Sequence, residues 1–136
     1  MGRFAAVVLG ILGVLLPVQV HAQEGQERAV YFVQPADGAE VGPNVHVIMG
    51  VRGMKVRPAG EFVKGTGHHH LIIDGSPLPQ GKVVPKDDHH MHFGKGQTEA
   101  DIRLSPGRHT LTLQFADGLH RSYGPALSST VHITVK

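Results

Sequence analysis

The chain contains no cysteine. That absence rules out disulfides, thiolate nucleophiles and thiolate metal ligands together. Any metal site must therefore use histidine, carboxylate or methionine. A basic surface is lacking too: 13 Lys and Arg stand against 11 Asp and Glu, for a formal net charge of +2. There is no arginine-rich run and no basic stripe interleaved with aromatics, which argues against nucleic acid as a partner. Beyond Val20 no apolar run is long enough to span a bilayer. No segment sustains a helical period, and no internal repeat is visible.

What is present begins with a targeting segment. Arg3 supplies a positive n-region, and Phe4 to Val20 is apolar apart from Gln19. Val20-His21-Ala22 is a small-residue cleavage site, so cutting is expected after Ala22. Pro17 and the polar stretch Gln23 to Arg28 argue against a retained membrane anchor. The expected organisation is a signal peptide over 1–22, a flexible linker over 23–28 and one domain over 29–136. Removing 22 of 136 residues leaves 114, enough for one domain with its own core. The expected location is periplasmic or secreted, and the missing disulfides favour a bacterial periplasm.

The domain reads as all-β. Ala29 to Gln34 is rich in β-branched and aromatic residues and ends at the turn Pro35-Ala36-Asp37-Gly38. Val45, Val47, Met49 and Val51 alternate along Val45 to Arg52. Glycines and prolines then make the middle loop-rich, with short strands expected at Lys55 to Arg57 and Lys82 to Val84. His69 to Asp74 and Asp101 to Leu104 read as strands. Arg108 to Phe115 is the clearest strand, followed by the hairpin signal Asp117-Gly118, a continuation over His120 to Tyr123 and a last strand over Thr130 to Lys136. Short alternating strands with regular turns predict a single immunoglobulin-like antiparallel β-sandwich carrying a His-rich insertion.

Six histidines crowd into that insertion: His68, His69 and His70, then His89, His90 and His92. In an extended strand residues i and i+2 share a face, about 7 Å apart at Cα. His68 and His70 form one such pair, and His90 and His92 form another. His69 falls with Leu71 and Ile73, which read as core. Two pairs on adjacent strands offer four imidazole nitrogens, a set that Zn²⁺ takes tetrahedrally and Cu²⁺ tetragonally. The expected ligands are His68, His70, His90 and His92, with His69, His89 and Met91 in reserve. Asp74 and Glu99 are candidates to orient a ligating ring. His46, His109, His120 and His132 are scattered at strand positions and read as structural. Gly94-Lys95-Gly96-Gln97-Thr98 lacks the residue order of a phosphate loop.

Three stretches carry a family resemblance: Gly65 to Gly75, His92 to Glu99, and Leu111 through Pro125. Together they resemble the bacterial family called domain of unknown function 4399 (DUF4399), over about Val30 to Val135. The resemblance implies one small exported domain and brings no activity with it.

Function therefore rests on the residues. The leading expectation is a periplasmic metal-binding protein, with copper as the ion and zinc as the alternative, acting in storage, delivery or sensing. A periplasmic protein partner would fit that role. A second reading is a non-metal binding module whose histidines contact a partner or an anion, or sense pH. A mononuclear metalloenzyme ranks last, because Ser76 and Thr98 lack any nucleophile context and no catalytic residue is legible.

Overall fold

Alternation of apolar and polar residues puts one face of each long strand into a shared core, and the computed structural model describes how those faces meet. It describes Gly2 and residues 27–136. Apart from Gly2, the expected signal peptide and the linker as far as residue 26 lie outside the described residues.

Among the described residues nine strands follow in chain order: β1 (Ala29–Gln34), β2 (Glu40–Val41), β3 (Asn44–Arg52), β4 (Lys55–Val56), β5 (Thr66–Ile73), β6 (His90–His92), β7 (Glu99–Arg103), β8 (Gly107–Ala116) and β9 (Ser128–Val135). They form two sheets in a sandwich-like arrangement. The smaller has the order β1-β3-β7, and the larger runs β2-β9-β8-β5-β4, with β6 also paired to β5. The long pairings are antiparallel. The two-residue strands β2 and β4 run parallel to β9 and β5. No α-helix occurs among the described residues, and none is long and apolar enough to cross a membrane.

The core lies between the sheets. Val30, Val45, Val47, Met49 and Ile102 of the smaller sheet meet Leu71, Leu111, Leu113, Phe115, Val131, Ile133 and Val135 of the larger. These are the inward residues that the alternation predicts in β3, β8 and β9. Four expectations shift, the first being that His120 to Tyr123 does not continue as a strand but carries only the isolated bridges Val83 to Arg121 and Ala116 to Ser122. Strand β5 begins at Thr66, ahead of the expected His69. Lys82 to Val84 is a loop holding only a single bridge, Val83 to Arg121. The short β2 has no counterpart among the expected strands, because two residues carry no periodicity.

The outer face of the larger sheet is also covered. The loop after β5 folds back over it, so that Ile72, Leu78, Val84 and Ala116 form a second small apolar cluster. Beneath that cover Gln114 is fully buried and fully engaged. Its Oε1 accepts the Leu78 N–H at 2.9 Å, and its Nε2 donates to the carbonyls of Gly124, at 3.0 Å, and Leu127. Satisfying both ends of a buried amide is what makes its burial tolerable.

Leu113 is wholly enclosed. Leu113→Ala is expected to cost about 2–5 kcal/mol in urea unfolding, the range for emptying a tight core site. A second prediction concerns His109. Its Nδ1 lies 2.8 Å from Asp74 Oδ2 and its Nε2 lies 2.8 Å from the Ser105 carbonyl. Both nitrogens face acceptors, so the imidazolium donates to each. The Asp74 bond, and then the Ser105 bond, raise the His109 pKa. Its contribution to stability is then complete below the unfolded value near 6.5 and is lost as pH rises through the folded value. His109→Gln is expected to lower the melting temperature at pH 6, with the difference from wild type shrinking towards pH 9.

Candidate metal centre

Strand β5 presents three consecutive histidines to two different environments. His69 points into the sandwich, where its ring meets Phe115 edge-on with 5.1 Å between centroids. His68 and His70 point to the outer face. All three are at most 2 % exposed. The register of the neighbouring strand decides what they meet. In the β5–β6 pairing His70 stands opposite His92, Leu71 opposite Met91 and Ile72 opposite His90. His92 is thus brought beside the His68/His70 pair, whereas His90 lies beyond it at the apolar Ile72.

Gly94 follows β6 two residues after His92. A Cβ there would overlap the His92 ring, so glycine leaves the imidazole its room. The fourth histidine arrives from elsewhere. After β8 the chain turns tightly through Asp117 to Arg121, and His120 swings back over His68. Nitrogens of His68, His70, His92 and His120, one from each residue, lie within 4.8 Å of one another. Neighbouring ring centroids are 4.6–5.1 Å apart, except His70 to His120 at 6.1 Å.

The closest approaches converge on one atom. His68 Nε2 is 3.1 Å from His92 Nε2 and 3.2 Å from His120 Nδ1. A neutral ring nitrogen carries either one proton or one in-plane lone pair. It cannot make two full hydrogen bonds at once. On the buried side, His68 Nδ1, His70 Nδ1 and both His69 nitrogens have no partner at all.

The electrostatics favour the neutral form of His68, His70 and His92. Burial first, and then the rings of His92 and His120, push the His68 pKa down to about 4. Burial and the three neighbouring cluster rings push His70 down to about 3, and burial alone brings His69 down to about 4. The His92 pKa is lowered as well, by desolvation and then by His120 and Lys86. Neutral imidazoles with free lone pairs are the state in which histidine binds a metal. His92 is the exposed member and His120 is half-buried, so the cluster opens to solvent on their side.

The other residues singled out in the sequence lie elsewhere. His90 Nδ1 donates to Asp87 Oδ1 at 2.6 Å, and His89 is exposed with its Nδ1 3.2 Å from the Ile73 carbonyl. Met91 packs against the main core, as does Met54. Asp74 is engaged with His109 and with the Thr110 N–H. Glu99 is on the other sheet, 3.1 Å from His46. Neither acid is within hydrogen-bonding distance of the four-histidine group. His120, read from sequence as structural, belongs to that group. The signal for it was its place just after Asp117-Gly118, at the end of the strand that pairs with the histidine strand.

Fold and site together define a small β-sandwich protein with an open four-imidazole cluster on one outer face. The profile of the family described as Domain of unknown function (DUF4399) matches residues 47–136, and the chain belongs to that family. No curated protein matches the chain, and no solved structure does.

These environments predict distinct histidine titrations in the metal-free protein. By NMR, the ring resonances of His68, His69 and His70 are expected to stay unshifted from pH 8 to pH 5. Their folded pKa values lie below the unfolded 6.5, so the unfolded chain binds more protons as pH falls. Stability of the metal-free protein is therefore expected to decline from pH 6.5 towards pH 4, and replacing His70 with Leu should flatten that decline.

Proposed function

We propose that this is an exported metal-binding protein that holds one divalent transition-metal ion on His68, His70, His92 and His120, with Cu(II) as the ion and Zn(II) as the alternative. The observation that carries this reading is the convergence of three imidazole nitrogens at His68 Nε2, at 3.1 and 3.2 Å. Four nitrogens around zinc at 2.0–2.1 Å stand about 3.3 Å from one another when tetrahedral; the two pairs at His68 Nε2 already have that spacing, and the remaining nitrogens, all within 4.8 Å of one another, would close in on the ion. An ion accepts all four lone pairs and removes the conflict that hydrogen bonding cannot resolve.

The donor set bears on the choice of ion. It contains imidazole only, and both methionines near the cluster in sequence belong to the core. Soft thioether ligation, which favours Cu(I), is absent from the group. Imidazole suits Cu(II) and Zn(II), and the affinity order among divalent ions places Cu(II) first. The exposed His92 edge gives an ion a way in and out, which fits storage, delivery or sensing in a periplasmic setting. Bound metal would join β5, β6 and the turn after β8, three segments distant in sequence.

Calorimetric and competition titrations of the mature, untagged protein with Cu(II), Cu(I) and Zn(II) test this. One-to-one binding is expected, tighter for Cu(II) than for Zn(II). Single changes of His68, His70, His92 or His120 to Ala should each weaken binding by about 100-fold or more, the upper range for disturbing even an outer partner of a metal ligand. His90→Ala should leave it within about threefold, well under 1.4 kcal/mol. Wild-type binding weaker than about 10⁻⁴ M, roughly −5.5 kcal/mol, would overturn the reading. So would a His120→Ala variant that binds like wild type.

A further inference from the structure

His68, His70 and His92 sit on paired strands, where the ladder aims their side chains. His120 has no such support. It lies in a turn between β8 and the 3-10 turn Pro125–Leu127, and its backbone is left-handed, with φ of 64°. A non-glycine residue in that region needs its surroundings to hold it. Something other than secondary structure must therefore direct the fourth imidazole.

From this geometry we infer that Asp117 is the positioning residue for His120, an inference that rests on the metal reading above and deepens it. Asp117 is 5 % exposed. Its Oδ1 accepts the N–H groups of Leu119, at 2.9 Å, and Arg121, at 3.0 Å, which flank His120 on both sides. Its Oδ2 accepts Arg121 Nε at 2.8 Å. The backbone of the same residue closes the turn. The Asp117 N–H donates to the Arg121 carbonyl and the His120 N–H donates to the Asp117 carbonyl, both at 2.9 Å. One carboxylate thus gathers the donors on either side of the ligand and fixes the direction in which its ring leaves the chain.

The turn is gripped from outside as well. Val84 N–H donates to the His120 carbonyl at 2.9 Å, and Gly60 N–H donates to the Gly118 carbonyl at 3.0 Å. A Cβ at Gly118 would run into the Glu61 backbone, so only glycine lets the turn lie this close. The Arg121 guanidinium, held by Asp117, lies over the Phe62 ring, 5.8 Å from its centroid. These contacts anchor the turn to the body of the protein, while Asp117 sets the conformation inside it.

The test is a double-mutant cycle with two readouts. Asp117→Ala and Asp117→Asn are made alone and in a His120→Ala background. Zn(II) and Cu(II) affinities are measured, and the proximity of the His120 and His68 rings is followed by NMR in the metal-free proteins. Asn keeps the Oδ1 acceptor for the Leu119 and Arg121 N–H groups but sets a donor against Arg121 Nε, so Asp117→Asn should weaken binding less than Asp117→Ala. Asp117→Ala should weaken binding by about 10–100-fold, the effect of losing a group that orients a ligand. It should add nothing once His120 is absent, since the pair acts as a unit. The His120–His68 ring contact should disappear in Asp117→Ala while the amide signals of β5 and β8 hold their positions. An equal loss of affinity in both backgrounds, or an intact ring contact in Asp117→Ala, would overturn the inference. If the wild type binds no metal, the metal reading fails and the ring contact alone decides the role of Asp117. Should Asp117→Ala fail to fold, Asp117→Ser, which shortens the acceptor, carries the same arms.

Discussion

The pairing of β5 with its two neighbours is the constraint on which the site depends. On one side β8 sets His68 against Ala116 and His70 against Gln114. On the other side β6 sets His70 against His92. Because side chains alternate along a strand, a slip of one residue in either pairing would exchange faces. His69 would then leave the core and the cluster would scatter. The inner residues Leu71, Phe115 and Leu113, all wholly buried, hold that register through the core they share. Site and fold are held by the same contacts, read from opposite faces of one sheet.

Burying three adjacent histidines is costly. Four of their ring nitrogens are shielded from water without a partner, and such groups ordinarily find one. The sandwich offsets this with apolar material on both faces of β5, the main core within and the Ile72, Leu78, Val84 and Ala116 cluster without. Within that outer cluster Ala116 pairs with His68 across the strands, and Ile72 stands two residues beyond His70 on the same strand. Charging His68 or His70 there becomes unfavourable, and their lone pairs are preserved at neutral pH. The tension resembles the strain that functional sites commonly store, with stability supplied by the surrounding framework.

Loops complete what the strands begin. The segment after β5 lies over the outer face and is stitched to the turn after β8. Gly81 N–H donates to the Ser122 carbonyl, Ser122 N–H to the Lys82 carbonyl, and the Ser122 hydroxyl to the Leu78 carbonyl. Without that stitching His120 would belong to a surface loop with no fixed relation to the sheet. The cluster thus joins elements of different rigidity, two histidines on a central strand, one on a three-residue edge strand and one on a clamped turn.

Much of this was legible in the chain. The alternation in β3, β8 and β9 sets the inward faces, since a period of two admits only that arrangement against a core. The pattern His68-His69-His70-Leu71-Ile72-Ile73 by itself separates the outward pair from the inward ring. The absence of cysteine limits the metal chemistry to imidazole, carboxylate and thioether. Tertiary structure decided the rest. Register, which depends on partners distant in sequence, placed His92 beside His70 and left His90 opposite Ile72 with Asp87. A turn geometry set by Asp117 brought in His120, some fifty positions from His68. Spacing along a strand tells which side chains share a face; only the pairing of strands and the closing of turns tells which faces meet.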